Sequence, residues 1–283
     1  MPLLTALIAA GGFLTLPMAG NGALSAIQVQ GPARLQVEYE GTYPFPMVGR
    51  MRAAQATLTA DLSPKGYSAS AYVRAEGVVD WFVDQNYSGA ITGALTSLGL
   101  QPLRYDSRTR DGKKNRHVLV EFGPDVSGMS GVSVSVSPKF GDWGFPATTK
   151  GQMLEAVDPL SAILELTLRA DASAQNPCGG PMRIFDGKQR YDLRLKFGKR
   201  MQWKSKAYKG PALVCSVEYV EIAGFKNKTA AEKARDKADL VWSNIVLAEL
   251  NGGAVTPPIK LEARSKSKGK MTVEAIKLSY GPK

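Results

Sequence analysis

A chain of 283 residues, 44% apolar and 22% charged, has the composition of an ordinary globular protein and a length that one mainly β core supports. No internal stretch approaches the roughly 18 to 20 unbroken apolar residues of a transmembrane helix, so an integral membrane protein is not expected. The net charge of +11 suits phosphate-bearing partners, whether nucleic acid, anionic phospholipid or lipopolysaccharide, unless it serves solubility alone.

The first 26 residues contain no Lys, Arg, Asp or Glu, and they run from Leu3-Leu4 through Phe13-Leu14 to the small residues Gly22-Ala23-Leu24-Ser25-Ala26. That pattern is the apolar and cleavage region of a secretory signal, with cleavage after Ser25 or Ala26 and a single β-rich envelope domain over 27–283. The basic residues that open such a signal are missing, and a translation start upstream of Met1 would supply them. A buried strand or helix is the alternative, interrupted at Gly11-Gly12, Pro17 and Gly20. No Cys follows the apolar run to carry a lipid anchor. The expected compartment is the periplasm, where two cysteines, Cys178 and Cys215, read as one disulfide. Closing a loop of about 37 residues would contribute about 3.5 to 4 kcal/mol. Two buried free thiols are the alternative; no His stands near either Cys to suggest a metal site.

Alternation of apolar and polar residues predicts strands over 35–40 and 51–62, then a turn at Ser63-Pro64-Lys65-Gly66 and a returning strand over 67–73. Residues 88–98 suggest a helix. Strands over 104–110 and 115–122 flank Asp111-Gly112, and strands over 183–185 and 189–197 flank Asp186-Gly187, a dipeptide that supplies the positive φ of a tight hairpin. Further strands are expected over 132–137, 201–206, 212–222, 259–265 and 271–280, roughly a dozen in all. Asp158-Pro159 starts the clearest helix, an N-cap before proline at the first helical position, with Leu160, Ile163, Leu164 and Thr167 at helical spacing. Residues 229–239 form a polar helix, or 226–239 a loop. The fold class is mainly β: a strongly curved antiparallel sheet, a spiral or partial barrel, with one or two helices in or near its concave face.

The run Asp158-Pro159-Leu160-Ser161-Ala162 resembles a signature of an exported proteobacterial family, domain of unknown function 3108. The similarity continues through Ile184 to Leu193, Val214-Cys215-Ser216-Val217, Ile222 to Phe225 and the pair Pro258-Ile259, and is most specific over 158–224. None of these motifs is catalytic. The resemblance implies a fold related to periplasmic lipoprotein carriers and to an envelope-integrity protein built as a β-spiral. It places the Asp158 helix in the concavity beside an apolar groove.

Catalytic signals are sparse. His117 is the single histidine, no Gly-x-Ser-x-Gly elbow accompanies it, and no phosphate-cradling glycine loop occurs. Asp80 and Asp84, flanking Trp81-Phe82-Val83, are the one carboxylate pair considered for acid and base work. The expectation is a protein without catalytic residues, cofactor or metal, supporting envelope integrity by binding a lipidic or protein partner. A hydrolase or other enzyme acting on an envelope substrate is the alternative.

Binding candidates are basic and aromatic. Lys196, Lys199, Arg200, Lys204 and Lys206 crowd one hairpin, Arg264, Lys266, Lys268 and Lys270 another, and 104–116 a third. As neighbours they would form a basic rim for anionic lipid, a lipoprotein or envelope proteins; alternatively, lysines at hairpin tips block edge pairing. Nucleic acid is not expected, because aromatics do not interleave with the charge. Of the large aromatics, Trp203 and Trp242 are expected in the core, whereas Trp143, in the loop Gly141 to Pro146 with Phe145, is placed at the groove mouth.

Overall fold

In the computed structural model the alternating segments pair into one antiparallel sheet, and the described residues are 29, 31–45, 49–76, 85–96, 99–112, 114–124, 130–168, 176–267 and 269–283. The first 26 residues, where a signal segment is expected, the Asp80 and Asp84 pair with its aromatics, and Lys268 lie outside them. Among the described residues the strands are β1 (Ala33–Phe45), β2 (Gly49–Ser63), β3 (Gly66–Ala75), β4 (Gln85–Thr96), β5 (Gly99–Asp111), β6 (Lys114–Pro124) and β7 (Ser130–Ser137). After the helices α1 (Lys150–Leu154) and α2 (Pro159–Leu168) come β8 (Met182–Phe185), β9 (Arg190–Lys204), β10 (Lys209–Ala223), the helix α3 (Ala230–Asp239), β11 (Leu240–Ala248), β12 (Pro258–Ser265) and β13 (Gly269–Pro282).

The order is β7-β6-β5-β4-β3-β2-β1-β13-β12-β11-β10-β9-β8. Two meanders therefore meet where the first strand pairs the last, with Leu35 opposite Tyr280. The β2–β3 and β9–β10 turns lie at one end of the sheet, here the lower; the β5–β6, β8–β9 and β12–β13 turns lie at the upper end.

Three expectations need correction. Residues 88–98 are not a helix: they fall mainly in β4, where Gly89, Ile91 and Gly93 alternate inward with outward Ala90 and Thr92. Two glycines weaken any helix there, and pairing with β3 and β5 decides the outcome. The break expected between 197 and 201 is a bulge at Gly198 inside the continuous strand β9. Strand β11 was not anticipated at all.

The sheet does not close into a barrel; its edge strands β7 and β8 remain unpaired with each other. The segment 138–157 occupies the seam. Phe145 N donates to Phe225 O at 2.8 Å, Gly224 N to Pro146 O at 2.8 Å and Thr148 Oγ1 to Lys188 O at 2.8 Å. Helix α1 then packs on β7, and Val157 bridges Ile184 of β8. Gly187 (φ 97°) and Gly224 (φ 81°) adopt a left-handed conformation that favours glycine, and a side chain at either would run into Val118 or the Lys188 carbonyl.

Because side chains alternate along a strand, the inner face reads as cross-strand rows. Leu35, Ala60, Ala69, Ile91, Tyr105 and Val120 form a buried row across β1 to β6. Above it lie Val37, Leu58, Ala71, Gly89, Ser107 and Val118, and above those Tyr39, Ala56, Val73, Tyr87, Thr109 and Arg116.

Helix α2 lies in the concavity, touching β3, β4, β5, β8 and β12, as the family resemblance implied. Leu160, Leu164 and Leu168, spaced by four, pack into the core formed with β1 to β6. Ala162 and Leu166 join Met182, Ile184, Leu195, Leu213 and the Cys178–Cys215 disulfide, whose Cα atoms are 6.1 Å apart. The helix starts as expected: Asp158 Oδ1 accepts from Leu160 N (2.9 Å) and Ser161 N (3.0 Å), with Pro159 at the first position. It ends against the β11–β12 connection, where Thr256 donates to the carbonyls of Leu166 and Thr167.

Candidate functional site

The lengths of the elements leave a space. A helix of 10 residues spans about 15 Å, whereas β2, β9 and β10, of 15 residues each, span about 50 Å. Helix α2 therefore fills only part of the curved sheet and leaves a chamber above it and along its Pro159, Ala162, Ile163 and Leu166 face.

The chamber has two contiguous lobes that share Ala71, Val73, Pro159, Ile163 and Tyr191. The first, of about 490 Å³, is almost wholly apolar and is walled by Tyr39, Ala56 and Leu58 on one side, Leu193, Val217 and Tyr219 on another, and Ile245, Leu261 and Val273 between them. The last three form one cross-strand row over β11, β12 and β13. Although they face inward, Tyr219, Leu261 and Val273 are 45%, 42% and 37% exposed: Tyr219 meets the rings of Tyr191 and Phe225 at 5.0 and 6.2 Å, and the remaining surface opens on the chamber. Apolar side chains lining an open interior are the signature of a ligand pocket, and the volume is of the usual size.

The second lobe, of about 1130 Å³, is mixed in character. Its wall carries Tyr87, Tyr105, Ser107, Thr109, Asn115 and Arg116 from β4 to β6, with Asp186, Lys188 and Gln189 from the β8–β9 turn and Phe140 from the seam. Tyr87 and Tyr105 share a hydrogen bond of 2.9 Å, and burial pushes both phenols above their ordinary range, so they remain neutral donors. Burial likewise raises Asp186, against the opposing effect of the Gln189 and Lys188 amides that its Oδ1 accepts at 2.7 and 2.9 Å. The Asp186-Gly187 pair is thus the hairpin turn read from the sequence. Asp158 is raised by burial as well, and its Oδ2 has no partner.

Arg116 and Lys188 reach one ring from opposite sides of the seam. The Arg116 guanidinium lies 4.3 Å from the Phe140 centroid and Lys188 Nζ lies 5.4 Å from it. Arg116 Nε is buried without a hydrogen-bond partner.

The residues singled out beforehand fall mostly elsewhere. Arg200 is engaged by Glu249, its Nε and Nη2 donating to the two carboxylate oxygens at 2.9 and 3.0 Å. Lys204 and Lys206 are exposed at the β9–β10 turn, at the lower end, whereas Arg264, Lys266 and Lys270 stand at the upper end. The three basic hairpins therefore do not make one rim. Trp143 meets Phe140 edge-on at 5.1 Å and Phe145 is exposed in the same loop, so Phe140, not Trp143, stands on the chamber wall. His117 points outward to Asp106, 3.0 Å from Nε2 to Oδ1. Among the described residues no group of three His, Cys, Asp or Glu side chains is placed to hold a metal, and no helix is long and apolar enough to cross a membrane.

Sequence reasoning missed Arg116, Lys188 and Phe140 as a set. One signal was available: on β6, Arg116 stands in phase with the inward residues Val118, Val120 and Phe122, so its charge enters the interior.

Among curated proteins none matches the sequence. Of solved structures, the chain is similar to a β-barrel-like protein of domain of unknown function DUF1849 from Brucella abortus, at 12% identity and a TM-score of 0.47, over 89% of this chain and 98% of that one. A putative lipoprotein from Parabacteroides distasonis aligns at 9% identity and a TM-score of 0.28, over 92% of this chain and 100% of that one. A sequence model of the family described as protein of unknown function DUF3108 matches residues 38–244, most of the chain, and to that family the protein belongs.

Proposed function

We propose that the protein is an exported, non-catalytic binder of a lipid-like amphiphile, acting in the cell envelope and holding the apolar part of its ligand in the chamber above α2. One observation carries this reading: Tyr219, Leu261 and Val273 face the interior of the sheet and yet are open to solvent. Leaving such surface wet is unfavourable by about 25 cal/mol per Å², and an acyl chain would remove the cost. The polar lobe next to it gives the other half of an amphiphile a place.

Support for export comes from the apolar, uncharged first 26 residues and the Cys178–Cys215 bridge. Binding rather than hydrolysis is favoured by the chamber wall. In the polar lobe the aliphatic hydroxyls, Ser107 and Thr109, line the inner face while His117 points outward to Asp106, and Asp186 is committed to its own turn.

Native mass spectrometry of protein taken from the periplasm, with uptake of a fluorescent sixteen-carbon probe, tests the reading. A co-purifying amphiphile is expected, and Val273→Trp, which fills the apolar lobe without touching the packed lower half, should abolish uptake and leave the melting temperature within a few degrees. No bound amphiphile together with no uptake, or uptake indifferent to Val273→Trp, overturns it. Intact mass should show the first 25 or 26 residues removed and both thiols oxidised; a retained segment with free thiols overturns export.

A further inference from the structure

A charge on the inner face of a strand is costly unless something answers it. Arg116 continues the inward series of β6, and its Nε is buried with no partner. Lys188 comes from the opposite edge of the sheet to the same Phe140 ring. The two cations repel each other, and among the described residues neither is within ion-pair distance of a carboxylate. By contrast, the buried Arg190 has Asp192 at 2.6 Å, and Arg200 has Glu249 at 2.9 Å. These two positive charges, with only the longer-range field of the Asp186 carboxyl acting on Lys188, thus stand on the wall of the polar lobe, which shares Ile163 and Tyr191 with the apolar one.

The apolar lobe also limits the tail. A methylene group is about the size of a water molecule, roughly 30 Å³, so 490 Å³ admits on the order of 16 of them. That is the size of one sixteen-carbon acyl chain.

We propose that Arg116 and Lys188 hold the anionic oxygen group, carboxylate or phosphate, of a single-chain amphiphile whose tail lies in the apolar lobe. This rests on the reading of the chamber as an amphiphile site and adds the charge of the head group and the number of chains. A guanidinium matches two oxygens of either anion in its plane while its face stays on Phe140, and the ammonium of Lys188 adds a point charge from the other side. Asn115, Tyr87 and Gln189 offer neutral hydrogen-bonding groups to the remainder of a head group.

The test compares four ligands at neutral pH by displacement of the fluorescent probe: hexadecanoic acid, a sixteen-carbon lysophosphatidylglycerol, hexadecanol, and inorganic phosphate alone. Wild-type protein should bind the acid or the lysolipid at least tenfold more tightly than the alcohol, a difference of about 1.4 kcal/mol. Whichever of the two anions binds more tightly identifies the head-group chemistry. Arg116→Gln with Lys188→Gln should bring both anions down to the level of the alcohol and leave the alcohol unchanged, whereas Arg116→Lys should keep most of the preference. Arg200→Gln, at the lower end, should alter nothing. Equal binding of alcohol and anions, or a preference that survives the double substitution, overturns the head-group assignment while the amphiphile site stands. Failure of all three long-chain ligands overturns the amphiphile site itself. Stabilisation by inorganic phosphate without any contribution from a tail makes this a site for a free anion and overturns the proposal.

Discussion

The lower and upper halves of this sheet are built from the same strands and end in different states. Below, each inward row meets α2: Leu164 is fully buried, Gly89 admits Leu160, and Gly93 gives way to the ring of Tyr67, whose hydroxyl bonds Ser161 at 2.9 Å. Above, Leu261 and Val273 continue the inward phase of Ile245, which still packs on the disulfide cluster, and remain open to the chamber. The difference lies in the ratio of a ten-residue helix to fifteen-residue strands, not in any change of pattern. Hydrophobic alternation specifies which face turns inward, and the length of the filling element specifies whether that face becomes core or pocket.

Substitutions should separate the halves. The largest effect is expected for the disulfide, which ties the chain after α2 to β10. Removing it by Cys178→Ala with Cys215→Ala should lower stability by about 4 kcal/mol in the loop-entropy account, read from the denaturant midpoint. A fall below about 1 kcal/mol would mean that the lower half is held by packing alone. Leu164→Ala comes next: a fully buried side chain between helix and sheet should cost about 3 kcal/mol, since the close-packed lower half has little room to collapse into the cavity.

How far the sequence revealed this arrangement depended on how local each signal was. The Asp158-Pro159 start and the Asp111-Gly112 and Asp186-Gly187 turns rest on neighbours in the chain, and all were legible. The pairing of β1 with β13 joins residues more than 200 positions apart and left no local mark. The unseen strand β11 had a wider consequence. In an antiparallel meander each strand reverses direction, so omitting one between the β9–β10 and β12–β13 hairpins puts both basic tips at the same end. Including β11 sends them to opposite ends, and the imagined rim dissolves. The site was half legible: Arg116 announces itself by falling in phase with Val118 and Val120, but its meeting with Lys188 and Phe140 depends on the seam, where three separate segments converge.

A smaller effect is expected where α2 begins. Asp158→Ala removes the cap and should cost about 1 kcal/mol. Asp158→Asn keeps an oxygen for the cap and removes the titrating group. Burial raises the carboxyl of Asp158, so the folded chain keeps its proton at pH values where the unfolded chain has released it. Its contribution is greatest below the ordinary carboxylate range and declines as pH rises through the raised value. The difference in stability between Asp158→Asn and wild type should therefore move in favour of the variant as pH climbs from about 4. A difference independent of pH would mean that Asp158 ionises in the fold as freely as in water.

The smallest effect on stability should come from the upper half, and it is the sharpest test of the comparison. Leu261→Ser replaces an inward residue as Leu164→Ala does, in a strand of the same sheet, but at a position 42% exposed and facing the chamber. With no close-packed neighbour to lose, it should cost about 0.5 kcal/mol or less. Its effect should fall on ligand instead: losing apolar contact worth about 1 kcal/mol would weaken binding of a sixteen-carbon probe roughly fivefold. Leu164→Ala should do the reverse, lowering stability without changing probe affinity in the fraction that remains folded, because Leu164 touches the core and not the chamber. Should Leu261→Ser prove as destabilising as Leu164→Ala, the upper half would be a core with its filling still to be found, and the chamber would be no pocket.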